Sequence, residues 1–251
     1  MKGRIFLGVA FIVVAGIVFY IGSQLSKSGG VMSNSAKPED MVQDSLSLEG
    51  VNELVSEGIC DVTIFKSDKN MMIVSYDAAH STNHSKVNGN KLSIHFGMDQ
   101  VGFFDFTIRP DVKIQIFTDS INSIVNRGTG HITSNDTFMF DEIYLSNEGI
   151  GSMEYTVSAD NVIARNRGAG SLDIYGNSAK LDLVNEGIGS INTTQLDAQH
   201  VKARNSGVGS IRVVGTDSLH LTNDGIGSLQ YSGTGEVYYE RNDGIGSISQ
   251  N

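Results

Sequence analysis

The chain has few of the residues that cross-link small folds or form metal clusters. Its 251 residues include one cysteine, two prolines and no tryptophan. The single thiol, Cys60, excludes an intrachain disulfide framework and any zinc or iron–sulfur site that needs several cysteines.

Positive charge is also scarce. Lysine and arginine number 18 against 28 aspartates and glutamates, which leaves a net charge of −10. A nucleic-acid-binding protein needs a basic face to contact phosphates, so nucleic acid is excluded as a partner. We therefore expect one domain with a substantial core and no nucleic-acid function.

Glycine, in contrast, is abundant and periodic. Fourteen of the 29 glycines belong to one motif, Asn-x-Gly-x-Gly, which is usually followed by serine. The motif occurs seven times at spacings of 18 to 21 residues. The copies begin at Asn126, Asn147, Asn166, Asn185, Asn205, Asn223 and Asn242. Such regularity is typical of a repeat architecture and not of a flexible linker.

Between the motifs, apolar residues alternate with polar ones. Leu181 and Leu183 precede Asn185, and Leu172 and Ile174 follow the preceding glycine pair. A period of two predicts strands with one buried face. Units of about 19 residues cannot close a core alone, but they can when they are stacked in parallel. The sequence therefore predicts an all-β fold, a parallel β-solenoid with coils of about 19 residues.

The motif itself is predicted to form a structural ladder at one corner. The asparagines fall in the inward phase of the strand, where stacked amides can hydrogen-bond along the column. The glycines allow a sharp turn and close approach between coils. A phosphate-binding loop would need a following helix, and here a strand follows. The ladder glycines of the copies from Asn147 onward are Gly149, Gly151, Gly168, Gly170, Gly187, Gly189, Gly207, Gly209, Gly225, Gly227, Gly244 and Gly246.

The N-terminus has the pattern of a membrane anchor. Lys2 and Arg4 precede an uncharged apolar run from Ile5 to Ile21, which is about 25 Å long as a helix. A cleaved signal peptide is the alternative, although the residues near the end of the run fit a cleavage site poorly. We predict a transmembrane signal anchor over 1–22, a flexible tether over 23–45 and the solenoid over 46–251. Within the solenoid, 46–120 has irregular coils and 121–251 has the seven regular corners. The positive charges place the N-terminus in the cytoplasm, so the protein is expected in the bacterial inner membrane with its domain in the periplasm or outside.

Residues that carry chemistry are scattered. No serine, histidine and acid form a recognisable catalytic arrangement, and Arg165, Arg204 and Arg241 have no carboxylate in their own frame of the repeat. Asp224 and Asp243 lie on adjacent coils, but two carboxylates are few for calcium. His80 and His84 are the one close histidine pair, in a segment expected to be a loop. We therefore predict no catalytic residue, no cofactor and no metal site, and not an enzyme.

The chain resembles the head GIN domain family, known as the adhesin head of autotransporters in bacterial envelope proteins. The resemblance rests on Val51–Ile64, Val87–Ile94, Asp111–Ile116 and the repeated Gly-x-Gly corners. The family more often has Gly-Ser-Gly-Asp where this chain has Gly-Ile-Gly-Ser, so acidic corner ligands are not carried over. The resemblance implies a β-solenoid at a bacterial cell envelope.

The function expected from the sequence is a non-enzymatic interaction or presentation module, with adhesion as one use and a protein or glycan as partner. A carbohydrate-binding or carbohydrate-active β-helix is the first alternative, and an envelope sensor is the second. The tyrosines available for stacking on sugars form no obvious single column: Tyr155, Tyr175, Tyr231, Tyr238 and Tyr239. Glu240 replaces an apolar inward residue in the last coil, which favours a monomer over an end-to-end dimer.

Overall fold

The computed structural model describes residues 41–78, 81–98 and 112–251, and its regular elements there are all strands. The strands are β1 (Met41–Ser47), β2 (Glu53–Gly58), β3 (Asp61–Lys66), β4 (Met71–Asp77), β5 (Ser81–Asn83), β6 (Lys86–Asn88), β7 (Lys91–Met98), β8 (Lys113–Thr118), β9 (Ser123–Asn126), β10 (Thr129–Asn147), β11 (Ile150–Asn166), β12 (Ala169–Asn185), β13 (Ile188–Asn205), β14 (Val208–Asn223), β15 (Ile226–Ser232), β16 (Glu236–Asn242) and β17 (Ile245–Gln250). Across these three ranges no helix has the length and apolar character needed to cross a bilayer. The segment 1–22, predicted as an anchor, lies outside the described residues, as do tether residues 23–40.

The C-terminal half of the chain forms the predicted solenoid. Strands β10 to β14 each run nearly the full length of a coil and pair in parallel with the next coil, so that Asn166 lies over Asn147 and under Asn185. Strands β15, β16 and β17 continue the stack in parallel. The prediction of an all-β parallel solenoid is confirmed, with about seven turns.

The core is built from columns of inward-facing side chains. Leu145, Ala164, Leu183, Ala203 and Leu221 lie in one column, and each is at most 1% exposed. Because alternate residues of a strand point to opposite faces, the polar residues between them remain on the surface. Leucines and alanines alternate from coil to coil in this column, which is typical of interdigitated packing.

The N-terminal part has an order in space that differs from its order in sequence. Strand β2 pairs in parallel with β7 on one side and with β9 on the other, and β3 likewise lies between β8 and β10. Strands β1, β4, β5 and β6 run antiparallel to their neighbours. The region expected to form irregular coils, 46–120, therefore combines parallel strands (β2, β3, β7 and β8) with these antiparallel ones. Period-two alternation is the same in parallel and antiparallel strands, so it does not distinguish them.

Strand β1 begins at Met41, five residues before the position at which the solenoid was expected to start. It pairs with β4 from Met41 opposite Asp77 to Ser47 opposite Met71. Most of its side chains are exposed, as on an edge strand, and their polar composition is the same as that of a linker. Residues 41–45 are therefore part of the sheet and not of the tether.

Candidate functional site

The corner asparagines form one continuous hydrogen-bonded column. Each Nδ2 donates to Oδ1 of the asparagine in the next coil at 2.8–3.1 Å. The pairs are Asn126–Asn147, Asn147–Asn166, Asn166–Asn185, Asn185–Asn205, Asn205–Asn223 and Asn223–Asn242. From Asn147 onward, Nδ2 also donates to the carbonyl of the second glycine in its own coil, as Asn185 does to Gly189 at 3.4 Å. Both amide hydrogens are therefore used without water.

The asparagine backbone also closes the corner. The carbonyl of Asn126 accepts the N–H groups of Glu148 and Gly149 in the next coil, at 2.7 and 2.9 Å. The same pair of bonds recurs up the column, so the buried backbone at each turn is satisfied.

Ser56 occupies the asparagine position in the β2–β3 coil, directly below Asn126. Its Oγ lies 3.5 Å from Sγ of Cys60, which is buried. Burial raises the pKa of the Cys60 thiol, so it remains protonated at neutral pH and is a poor nucleophile.

The two glycines of each corner are required for different reasons. The second glycine has φ between +133° and +151° in the seven copies, and the first does not have a positive φ. A Cβ on either would approach the glycine of the coil below, for example to 2.1 Å from the Gly168 carbonyl at Gly187 and to 1.9 Å from the Gly170 carbonyl at Gly189. The corner is therefore a stack of backbone on backbone that excludes every side chain larger than hydrogen.

The residues before the first glycines form a charged column with ion pairs between coils. Arg127 bonds Glu148 at 2.9 Å, and Arg167 bonds Glu186 at 2.8 Å. The hydrogen bonds to the Glu148 and Glu186 carboxylates raise the pKa of Arg127 and Arg167, so both guanidinium groups stay charged at neutral pH. The pairs are largely exposed, and each contributes a few tenths of a kcal/mol at most.

Three arginines have no carboxylate at their own position of the repeat in the other coils, and each pairs with a carboxylate at a different position. Arg165 binds Asp182 at 3.0 Å, while Arg204 and Arg241 bind opposite oxygens of Asp224 at 3.0 and 2.8 Å. The guanidinium of Arg241 also lies 3.5 Å from Asp243. An arginine therefore already lies between the two carboxylates that were weighed as calcium ligands.

An exposed aliphatic column runs beside the charged one. Its members lie between the two glycines of each corner, and the column, here called the aliphatic stripe, comprises Ile150, Ala169, Ile188, Val208, Ile226 and Ile245. The five larger side chains are 45–72% exposed. A groove of about 720 Å³ with the first glycines along it separates the stripe from the charged column. Sequence reasoning overlooked this surface, although the apolar residue at the centre of Gly-x-Gly was its signal.

The opposite corner carries a second and more polar groove of about 990 Å³. Asp141, Glu142, Asp160, Asn177 and Asp197 contribute acid and amide groups to it. None of the described residues that line the two grooves is a tyrosine, and Tyr155 is buried in the core.

The histidines are spread over several coils. His200 Nδ1 lies 2.9 Å from Ser218 Oγ and 3.5 Å from Asp217 Oδ2. Serine and acid thus contact the same ring nitrogen, whereas a catalytic triad needs one on each nitrogen. His220 lies over Lys202 and does not share the His200 frame.

His84 lies between the short strands β5 and β6, so the segment expected to be a loop contains the three-residue strand β5 and is followed directly by β6. Its ring centroid is 6.0 Å from that of His95, and His80 lies outside the described residues. In the described part of the chain, no three or more His, Cys, Asp and Glu side chains are grouped so that they could hold a metal ion.

Comparison with known proteins identifies relatives of this fold. A family model described as "Putative auto-transporter adhesin, head GIN domain" matches residues 51–235. A "putative adhesin" from Bacteroides fragilis superposes with a TM-score of 0.72 at 18% identity, over 88% of this chain and all of the other. Two more, from Parabacteroides distasonis and Parabacteroides merdae, give TM-scores of 0.65 and 0.56 at 17% and 13% identity; they cover 84% and 85% of this chain and 97% of each neighbour. At these identities the likeness shows the fold alone. A search of curated proteins gave no significant match.

Proposed function

Because the chain belongs to the head GIN domain family, we propose that it is an envelope-exposed, non-enzymatic module that makes adhesive contacts through the aliphatic stripe. The family description and those of the structural neighbours name adhesins, which supports this class of function. We further propose that the apolar run over Ile5–Ile21 anchors the chain in the inner membrane and that the solenoid lies outside it.

The observation that carries the proposal is the exposure of the stripe. A corner that only faces solvent can carry a polar residue, and the first copy has Thr129 at this position. The next six corners all carry an aliphatic residue instead. Together these side chains present an apolar strip of roughly 500 Å², the size of the largest apolar patch on a typical monomer, which is often functional. The backbone stack beneath them holds the strip rigid, so little entropy is lost on binding.

The proposal is tested by adhesion of spheroplasts with matched charge variants, because the proposed anchor places the solenoid at the outer face of the inner membrane. Spheroplasts that hold the intact protein should attach to one another or to a surface more than spheroplasts without it. Ile188→Asp combined with Ile226→Asp should remove the effect, because two charges would enter the centre of the stripe. Met139→Asp is the control, since Met139 is 70% exposed at the opposite corner. Adhesion that is equal in the two variants would refute the role of the stripe.

Membrane placement is tested separately. Protease added outside the inner membrane of spheroplasts should degrade residues 25–251 of the intact protein. Full protection of the domain while the membrane is intact would refute the exported topology.

Carbohydrate binding is the second candidate, and the polar groove favours it. Its carboxylates and amides, with Asn177 and Asp160 among them, are groups that hydrogen-bond sugar hydroxyls. Binding on a glycan array that survives the stripe variants and is lost in Asn177→Ala would favour this candidate over adhesion by the stripe.

A further inference from the structure

We propose that the outer face of strands β14 and β16 carries a separate binding site, an aromatic patch that binds a neutral glycan through the flat sides of its pyranose rings. The aromatic patch consists of His220, Tyr238 and Tyr239. None of these residues is among those that line the two grooves, and none belongs to the aliphatic stripe. The inference therefore goes beyond the adhesive role of the stripe and does not rest on it.

The two tyrosines of the aromatic patch lie in solvent. Tyr238 is 62% exposed and Tyr239 is 46% exposed, whereas the other tyrosines in the described ranges are buried or half-buried. Two adjacent rings left in water forgo the stabilisation that their burial in the fold would give. Tyrosines in such positions are enriched at contact sites, because one ring offers both an apolar surface and a hydroxyl.

A β-bulge places both rings outside the core. Leu219 lies beside Val237 in the parallel ladder, but the next residue, His220, lies beside Tyr239, so Tyr238 is an extra residue in β16. Val237 packs against the core. Because neighbouring side chains of a regular strand point to opposite faces, a strand without the bulge would direct one of the two tyrosines inward. Bulges that redirect side chains in this way are frequent next to functional sites.

His220 extends the aromatic surface into the coil below. The ring centroids of His220 and Tyr239 are 6.2 Å apart, their planes differ by 21°, and both side chains are exposed. The face of an aromatic ring carries partial negative charge, which attracts the C–H groups on the flat side of a sugar ring. A search for tyrosines alone does not find this column, because a histidine fills its lower position.

Charged groups of both signs border the aromatic patch. Lys202 lies one coil below His220 and is exposed. On the other side, the charge of Glu236 and a hydrogen bond to its carboxylate raise the pKa of Tyr238, and the charge of Asp217 adds to this effect. The Tyr238 hydroxyl is therefore neutral at neutral pH, and it lies beside a carboxylate.

These surroundings favour a neutral ligand with many hydroxyl groups. A sugar hydroxyl can donate to the Glu236 carboxylate, and another can accept from the Lys202 ammonium group. An anionic glycan would face the carboxylates of Glu236 and Asp217, whereas a cationic ligand would face Lys202. An apolar partner would remove these charged groups from water without pairing them. A neutral glycan is the class of ligand that is compatible with the rings and with both signs of charge.

The open shape of the site predicts weak binding. The aromatic patch lies outside both grooves, so it covers one side of a sugar and does not enclose it. We expect a Kd of about 1 mM for a single glycan chain. Many copies of the protein on one surface would bind a dense glycan layer much more tightly, because avidity multiplies weak contacts.

Glycan-array binding by the full-length protein tests the proposal. The array carries neutral, acidic and amine-bearing glycans, and the protein is kept in a polyoxyethylene detergent because a detergent with a sugar head group would compete. The parent should bind neutral glycans. Tyr238→Ala and Tyr239→Ala should each reduce this binding about tenfold, whereas Tyr239→Phe retains the ring and should keep most of it. Tyr175→Ala, which replaces a half-buried tyrosine of β12, is the control and should change nothing.

The outcomes that contradict the proposal are distinct. No binding to any glycan, or binding confined to acidic or to amine-bearing glycans, would overturn it. Binding that both tyrosine-to-alanine variants leave unchanged would also overturn it. In that case, loss of binding in Asn177→Ala would place the glycan in the polar groove, and loss in the Ile188→Asp, Ile226→Asp variant would place it on the stripe.

The same variants separate this inference from the proposed function. If the stripe variant loses adhesion but keeps glycan binding, while Tyr239→Ala does the reverse, both proposals are supported. If Tyr239→Ala keeps glycan binding and the stripe variant still loses adhesion, only the glycan site is refuted. Unchanged melting temperatures in Tyr238→Ala and Tyr239→Ala, expected because both rings are exposed, would show that any loss of binding is not a loss of fold.

Discussion

Replacing an asparagine in the middle of the column tests whether the ladder stabilises the fold. Asn185 is fully buried and makes three hydrogen bonds through its amide. It accepts from Asn166 at 2.8 Å, donates to Asn205 at 2.8 Å and donates to the Gly189 carbonyl at 3.4 Å. Asn185→Leu fills a similar space and removes all three bonds.

The expected cost follows from the groups left behind. Oδ1 of Asn205 loses its donor from the coil below, and one N–H of Asn166 loses its acceptor. The loss of the long 3.4 Å bond to the Gly189 carbonyl adds little to these two. Two buried unsatisfied groups at about 1–3 kcal/mol each amount to about 2–6 kcal/mol, and the apolar leucine offsets part of this. We expect a net loss of about 3 kcal/mol, and a melting temperature lower by about 6–12 °C for a domain of this size.

The assay is thermal and urea unfolding of the variant beside Asn242→Leu. Asn242 is exposed and accepts from Asn223 at 2.8 Å at the far end of the column. Water can replace its bonds, so its loss should cost less than about 1 kcal/mol. Equal effects of the two substitutions, or an unchanged melting temperature for Asn185→Leu, would refute the reasoning that buried amide pairing stabilises the stack.

Two further substitutions test the corner and the core. Gly189→Ala should cost more than about 3 kcal/mol in urea unfolding, because a Cβ would lie 1.9 Å from the Gly170 carbonyl. At Gly89 φ is also positive (+62°), but an added Cβ would have no atom within 4 Å. Gly89→Ala should therefore cost only about 1 kcal/mol, and equal costs for the two glycine substitutions would contradict the close-stack explanation. Tyr155→Phe should raise stability by about 1 kcal/mol at neutral pH, because the Tyr155 hydroxyl is buried with no hydrogen-bond partner among the described residues. Burial raises the pKa of Tyr155 above its usual 10, so above about pH 10 the hydroxyl ionises in the unfolded chain but stays neutral in the folded one, and the folded state loses stability as the pH rises. The variant should therefore lose less stability than the parent above about pH 10. A Tyr155→Phe variant that is less stable than the parent at every pH would show that the hydroxyl has a partner.

The sequence alone was sufficient to predict the solenoid. Seven Asn-x-Gly-x-Gly corners at nearly constant spacing, with period-two alternation between them, indicate coils that can bury a core only by stacking. These patterns are local, because a single repeat already contains both the corner motif and the period-two alternation. Alignment of residues 54–64 with the repeat predicted Ser56 at the asparagine position and Cys60 at the position of the second glycine. The structure has both residues at these positions.

The tertiary structure decided everything that depends on which strands become neighbours. Alternation in β4 and β7 predicts strands but not their direction. The sequence therefore could not predict the antiparallel pairs, nor that the β2–β3 coil lies between strands that come later in the chain. The carboxylate partners of Arg204 and Arg241 belong to an adjacent column, and a search within one frame does not find them. The aliphatic stripe becomes a surface only when coils of 18 to 21 residues align despite bulges such as the one between Thr193 and Asp197. Periodicity specifies which face of a strand is buried, whereas non-local pairing specifies what lies beside it, and the candidate site consists of such neighbours.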